Sequence, residues 1–374
     1  MALWAINNLE FSHYLMILAG IIALLPSYKL FRLYLETKID EYLLFGLVFL
    51  VSTMFTFTSV LADITDELIY WILNYSFRNF TYFLFFTHTV RMIWSKPSTF
   101  IVYLGVIQYA VVQLLLFLWS PLENDVGAGF ISNQNIDIYS TSNRLIANLF
   151  QLYVAVLFLY GYLTIKLQNP SPDLLRSFRI MIAVSITLVL SRLIRVAQNF
   201  GFPNHVLIEL IGTLLLLGGF ALIAYIFAYN PGAIMLSRAQ IGGIMVISEA
   251  GTPLASVKFE GSELVGSSTL ISGVITAVES VMGSIHEGTI LNEIDAGDRS
   301  IIVHHSNRLY FMIVTNLPTP ILRDSLRYFS MIFTKLYYNE IEGFRNSGRM
   351  IDNINICVDQ AFPYTVGLQN EPWN

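Results

Sequence analysis

Tyr42–Ala62 reads YLLFGLVFLVSTMFTFTSVLA, a run with no acidic or basic side chain. An α-helix rises about 1.5 Å per residue, so such a run spans about 30 Å, the thickness of a bilayer's hydrocarbon core. Polar residues bound it, Lys38–Glu41 before and Asp63–Glu67 after. Six further segments repeat the pattern: Phe11–Leu33, Leu68–Ile93, Thr99–Trp119, Ile146–Leu167, Ile180–Phe200 and His205–Tyr229. Together they predict a seven-helix membrane domain over residues 1–230.

Composition agrees. Charged residues are 13% of the 374, against about 25% in soluble domains. Apolar residues reach 55%, and the mean hydropathy is +0.60. The excess lies before about residue 230, which argues for two domains. A net charge of −5 without a basic run gives no support for nucleic-acid binding. The lone cysteine, Cys357, excludes an intramolecular disulfide and a thiolate zinc site. No Lys or Arg precedes the first apolar run, so that run is expected to be a retained helix rather than a signal peptide.

Lysine and arginine favour alternate loops, and the long fourth loop has only Arg144. Lys29, Arg32 and Lys38 lie at the first, Arg91 and Lys96 at the third, Lys166, Arg176 and Arg179 at the fifth, and Arg238 follows the seventh helix. The positive-inside rule then predicts a multi-pass cell-membrane protein with the N-terminus outside and the C-terminal domain cytoplasmic. The stretch Ser120–Asn143, rich in Asn, Ser, Gly and Asp, is expected to be a long outer loop.

Pro231-Gly232 closes the seventh helix, and residues 231–240 form a linker. From residue 241 the periodicity changes to two. Ile241–Ile247 and Leu254–Phe259 predict a hairpin about the turn Ser248–Pro253. A helix is expected over Glu263–Ile285, then strands Thr289–Asp295, Ser300–His305 and Leu309–Thr315. A last long helix, Pro318–Glu342, has the apolar face Leu322, Leu326, Phe329, Ile332, Phe333, Leu336 and Tyr337, and a weaker one follows over Met350–Phe362. The result is a soluble α/β domain, residues 241–374, with a five-stranded antiparallel sheet and its helices on one face.

The order strand, strand, helix, three strands, helix resembles the longin and roadblock-like superfamily, in its longin order. The hairpin GIMVISEAGTPLAS (residues 243–256), the strand AGDRSIIV (residues 296–303) and the strand YFMIVTN (residues 310–316) carry that resemblance, which covers Gln240 to about Glu342. It implies a non-enzymatic domain that dimerises or docks a small GTPase or a related longin or roadblock-like partner. The first half more loosely resembles seven-transmembrane sensor modules that precede bacterial signalling domains.

No phosphate-binding loop and no kinase signature set is present, and no cofactor or metal is expected. His304 and His305 are adjacent on a strand, so they point to opposite faces and cannot share a metal. The seventh helix has no lysine for a retinal Schiff base.

The unusual residues are polar ones inside apolar helices: Asn74, Arg78, Asn79 and His88 in the third, Arg192 and Arg195 in the sixth, Glu209 in the seventh. A charge at bilayer depth costs several kcal/mol and commonly faces a bundle interior or a partner. Glu209 is expected to pair with Arg195. Arg78 and Arg192 then lack acids. Either Arg192 snorkels outward and Arg78 is satisfied by backbone carbonyls and polar neighbours, or with Asn74 and Asn79 they line a cationic pocket for a carboxylate or phosphate head group. The reading is a receptor or sensor for a small anionic or amphiphilic ligand. The alternatives are a membrane anchor or scaffold, and a transporter with a regulatory domain. In the soluble half, Leu254, Ser256 and Lys258 lie on the expected edge strand, a candidate homodimer or partner interface.

Overall fold

A computed structural model describes residues 11–65, 68–94, 99–124, 133–167, 172–199, 206–259, 291–295, 299–347 and 354–363, with the single positions 273, 277, 297 and 351. The predicted helix Glu263–Ile285 lies outside the described residues, apart from two helical positions.

The N-terminal part holds long helices α1 (Phe11–Thr37), α2 (Asp40–Thr65), α3 (Leu68–Ile93), α4 (Thr99–Asn124), α5 (Asn133–Thr164), α6 (Pro172–Asn199) and α7 (Val206–Tyr229). Each corresponds to one of the seven apolar segments. Among the described residues four stretches are long and apolar enough to cross a membrane: Met16–Thr37, Asp40–Ala62, Leu145–Thr164 and Pro172–Ala197. That coarser count indicates a membrane protein.

Two boundaries differ from expectation. Lys29 and Arg32 lie inside α1, not in a loop, because the helix runs on to Thr37. Lys29 Nζ donates to the carbonyl of Ala228 near the C-terminal end of α7, where cations suit the helix dipole. The expected outer loop Ser120–Asn143 is largely helical: α4 extends to Asn124 and α5 begins at Asn133. Polar side chains exclude a helix from lipid, not from water, so polarity alone misplaced these ends.

Aromatic rings fill the bundle. Phe45 of α2 meets Phe85 of α3 at 5.7 Å and Phe227 of α7 at 4.6 Å, while Phe85 meets Phe158 of α5 at 5.2 Å, all edge to face. Such contacts add about 0.5–1.5 kcal/mol each beyond their buried area. Gly161 lets α5 close on α3, since a Cβ there would stand 2.2 Å from Met92 Cε.

The C-terminal sheet comprises β1 (Ile241–Ser248), β2 (Pro253–Lys258), β3 (Glu293–Asp295), β4 (Ser300–Ser306) and β5 (Leu309–Thr315). Every pair is antiparallel and the order is β2-β1-β5-β4-β3. The β4–β5 turn places Asn307 and Arg308 at φ 53° and 62°, as a two-residue hairpin turn of the primed kind requires. Helices α8 (Pro320–Leu336), α9 (Tyr338–Ser347) and α10 (Asn355–Ala361) follow, so the single predicted helix Pro318–Glu342 is divided at Tyr337.

Ile321, Leu322, Leu326, Phe329 and Phe333 of α8 are fully buried with Ile244, Val246, Phe311 and Ile313 of the sheet. Each such side chain contributes about 1.5–3 kcal/mol. Leu336, expected on that face, is exposed at the helix end. The opposite face buries Met245, Ile247, Val303, Met312 and Val314 with Leu291. Both faces of the sheet therefore carry buried side chains.

The linker is not a tether. Pro231–Met235 forms a 3-10 turn, and Gly232 to Ser237 are buried. Arg238 N donates to Met92 O (3.3 Å), and the hydroxyls of Ser237 and Thr319 share a hydrogen bond (3.0 Å). The linker is thus held between the end of α3 and the start of α8.

Candidate functional site

α3 carries polar residues along its length because it is enclosed by other helices. Asn74 Nδ2 donates to Phe55 O of α2 (3.1 Å). Asn79 is fully buried and accepts from Gln151 Nε2 of α5 (2.7 Å). Gln151 Oε1 in turn accepts from Arg192 Nη1 of α6 (2.6 Å). Arg192 is 2% exposed, and its guanidinium stands 5.5 Å from the Tyr82 ring centre. One amide therefore ties three helices and receives a buried cation.

Arg78 is placed differently. Its guanidinium rests 4.5 Å from the Tyr75 ring centre, a cation–π contact. Its Nε is buried with no hydrogen-bond partner, and no ion pair reaches it among the described residues. It lines a cavity of about 360 Å³ with Leu18 and Ile22 of α1, Phe49 and Phe55 of α2, Tyr82 of α3, and Leu214 and Gly218 of α7.

The four predicted ligand residues thus separate. Asn79 and Arg192 are joined through Gln151. Asn74 braces α2. Arg78 faces the cavity, and Arg192 is not among its lining residues. The Arg192 guanidinium is held by Gln151, and that of Arg78 by the Tyr75 face. Arg195 is half-buried; the expected Arg195–Glu209 pair falls outside the described side chains. His88 is enclosed against Phe45, ring centres 4.6 Å apart.

A second polar cluster joins the two halves of the chain. Arg91, near the end of α3, donates through Nε to Glu41 Oε1 (2.8 Å) and through Nη2 to Asp324 Oδ2 of α8 (2.9 Å). Asp40 lies 3.5 Å from the same nitrogen. Arg327 donates to Asp324 Oδ1 (3.1 Å) and to Lys38 O (2.6 Å). Lys38 can present that carbonyl because it closes the α1–α2 turn at φ 58°. The Glu41 side chain is 0% exposed and that of Asp324 14%. Burial, with the charge of Glu41, pushes the Asp324 carboxyl up to about 7, although Arg91 opposes it.

None of these partners was singled out from sequence. Arg91 and Lys38 counted only as loop charges, and Lys38–Glu41 otherwise only as a polar boundary. Gln151 gave no signal either, since one glutamine in an apolar segment is unremarked until its neighbours are known.

In the sheet domain, β2 is an edge strand as expected. It is not open along its length. Leu254 and Ser256 are buried and Lys258 half-buried, and Ile351 N donates to Leu254 O (2.7 Å). His304 pairs across from Phe311 and His305 from Tyr310, on opposite faces. Burial, then the charge of Arg327, holds the His304 imidazole below its usual range. Cys357 is buried in α10, and burial pushes its thiol up to about 11, far from a reactive thiolate.

The fold and clusters define an apolar helical bundle joined to a five-stranded antiparallel sheet domain. No protein-family model, curated protein or solved structure matches this chain.

Proposed function

We propose that this protein is a membrane receptor or sensor. Seven helices cross the bilayer with the N-terminus outside, and the cytoplasmic longin-like domain docks a signalling or trafficking partner, a small GTPase by the family resemblance. The observation that carries this reading is the Arg91 bridge. One side chain on α3 holds both Glu41 of the bundle (2.8 Å) and Asp324 of the sheet domain (2.9 Å). A passive anchor needs no such bridge, because a flexible linker localises a domain equally well. A receptor does need one, since a change in the helices must reach the output domain through contacts that differ between two states. The sheet order β2-β1-β5-β4-β3 supports the longin-like assignment, and the alternation of Lys and Arg between loops supports the orientation.

The test is recovery of a partner by the full chain, reconstituted in nanodiscs and mixed with lysate of its own cell. A small GTPase recovered with GDP but not a non-hydrolysable GTP analogue, or the reverse, is the expected result. No nucleotide-dependent partner would count against the receptor reading. Separately, protease added to sealed right-side-out vesicles should spare residues 241–374; digestion there would overturn the orientation.

A further inference from the structure

The cavity at Arg78 has a chemical signature. Its volume of about 360 Å³ lies in the range of about 300–1,000 Å³ of small-molecule pockets. Its wall is almost wholly apolar. Three of the hydroxyls that line it are already engaged, Ser52 Oγ donating to Val48 O (2.7 Å), Thr56 Oγ1 to Thr53 O (2.8 Å) and Thr81 Oγ1 to Phe77 O (3.0 Å), while the Tyr82 hydroxyl is buried without a partner. Arg78 is therefore the charged donor left to a ligand, and its Nε already has no partner. Arg192 and Arg195 act on it with the same sign, so the local field favours an anion.

The mouth indicates where the ligand comes from. Lining residues Leu18, Ile22 and Leu214 are 53%, 47% and 57% exposed. They belong to α1 and α7, so the cavity opens sideways between these helices. In a bilayer that opening faces lipid, not water. A small hydrophilic anion would have to cross hydrocarbon to reach it and would then meet apolar walls. A molecule with an acyl chain gains from both.

We propose that this cavity binds a single-chain amphiphile with an oxyanion head, drawn laterally from the bilayer, with Arg78 holding the head and the apolar wall between α1, α2 and α7 holding the chain. The proposal rests on the sensor reading in that it names the ligand of the sensing half. It requires no property of the sheet domain.

The experiment uses the delipidated full chain in detergent and measures direct binding by native mass spectrometry and by titration. The probes are palmitate, a palmitoyl lysophosphatidate, neutral palmitoylglycerol, acetate and inorganic phosphate. One palmitate or lysophosphatidate should bind per chain, at least about tenfold tighter than palmitoylglycerol, as a charge-assisted contact predicts. Whichever acid binds tighter names the head. Arg78→Gln should erase that preference and leave palmitoylglycerol unchanged. Gly218→Leu provides a second variant. Gly218 lines the cavity and a Cβ there meets nothing within 4 Å, so the leucine side chain starts in open space at the cavity wall, and it should weaken all three acyl probes about tenfold or more. Equal affinity for the neutral probe, full palmitate binding by either variant, or competition by acetate or phosphate would each overturn the proposal. Since no partner is present, failure here leaves the GTPase test standing, and failure of that test leaves this one standing.

Discussion

Replacing Arg91 by Met removes the cation from a group of acids that were buried because it was there. Glu41 keeps a fully buried side chain and loses its 2.8 Å partner. Asp324 loses its 2.9 Å contact and retains Arg327 at 3.1 Å. Breaking a buried pair by deleting one member costs about 3–5 kcal/mol. Arg91 is 25% exposed and Asp40 47%, so water relieves part of this, and about 3 kcal/mol is the working figure. The cheapest escape is separation of the sheet domain, which lets Asp324 reach water. Arg238 reports that event. It is exposed, but its backbone N–H is held by Met92 O (3.3 Å) in a buried linker, so trypsin cuts it only when the domains part. At about 1.4 kcal/mol per tenfold, the open population and the cleavage rate at Arg238 should rise about a hundredfold. The double variant Arg91→Met/Glu41→Gln, which leaves no buried unpaired charge on α2 because Asp40 is 47% exposed, should recover most of the loss. Cleavage of Arg91→Met within twofold of the parent, or no recovery in the double variant, would refute the assignment of Arg91 as the bridge.

Three further outcomes follow from the same geometry. Docking should weaken as pH rises from about 4 to about 7 and then level off: the docked Asp324 carboxyl, raised to about 7 by burial beside Glu41 and Asp40 despite Arg91 and Arg327, binds a proton that the separated domain releases near pH 4. Hydrogen exchange at the linker amides should show that slope, and Asp324→Asn should flatten it. Gln151→Leu should destabilise the bundle by about 1–3 kcal/mol by stranding Asn79 and Arg192, whereas Gln151→Glu, which keeps an acceptor for Arg192, should cost less in thermal unfolding. Arg308→Gly should stabilise the sheet domain by about 1 kcal/mol, because φ 62° is a left-handed conformation that a side chain resists; an unchanged midpoint would argue that Arg308 has a compensating contact.

Apolar runs and period-two strands were legible because each depends on near neighbours in the chain. The seven helices and the hairpin about Ser248–Pro253 follow from that local pattern. Helix ends were not, because a polar helix such as the first turns of α5 is stable in water and carries no hydropathy mark. The ionic cluster was illegible for a different reason. Arg91 and Asp324 are joined across 233 residues, and nothing local distinguishes Arg91 from Lys96 or Asp324 from Asp298. The polar residues of α3 could be flagged, but not sorted. That Arg192 would meet an amide while Arg78 met an aromatic ring depends on which faces of α5 and α6 turn inward.

α3 is the element on which these results meet. Arg78 and Arg91 lie thirteen residues apart on one unbroken helix, a separation of about 20 Å along its axis. A ligand on Arg78 alters the sheet domain only if it binds one position of α3 better than another, because proximity along a helix transmits nothing by itself. The packing supplies a means. Around Arg78 the helix borders a cavity, so its N-terminal half has room to move. Around Arg91 it is fixed by Glu41, by Asp324 and by the linker contacts of Met92. A shift or rotation of α3 that fills the cavity must therefore be absorbed at the Arg91 bridge. There one guanidinium serves two acids that belong to different domains. If it follows α3, the contact to Asp324 lengthens first, since Glu41 is anchored on the neighbouring α2 while α8 reaches the bundle through this cluster, the linker and Lys38.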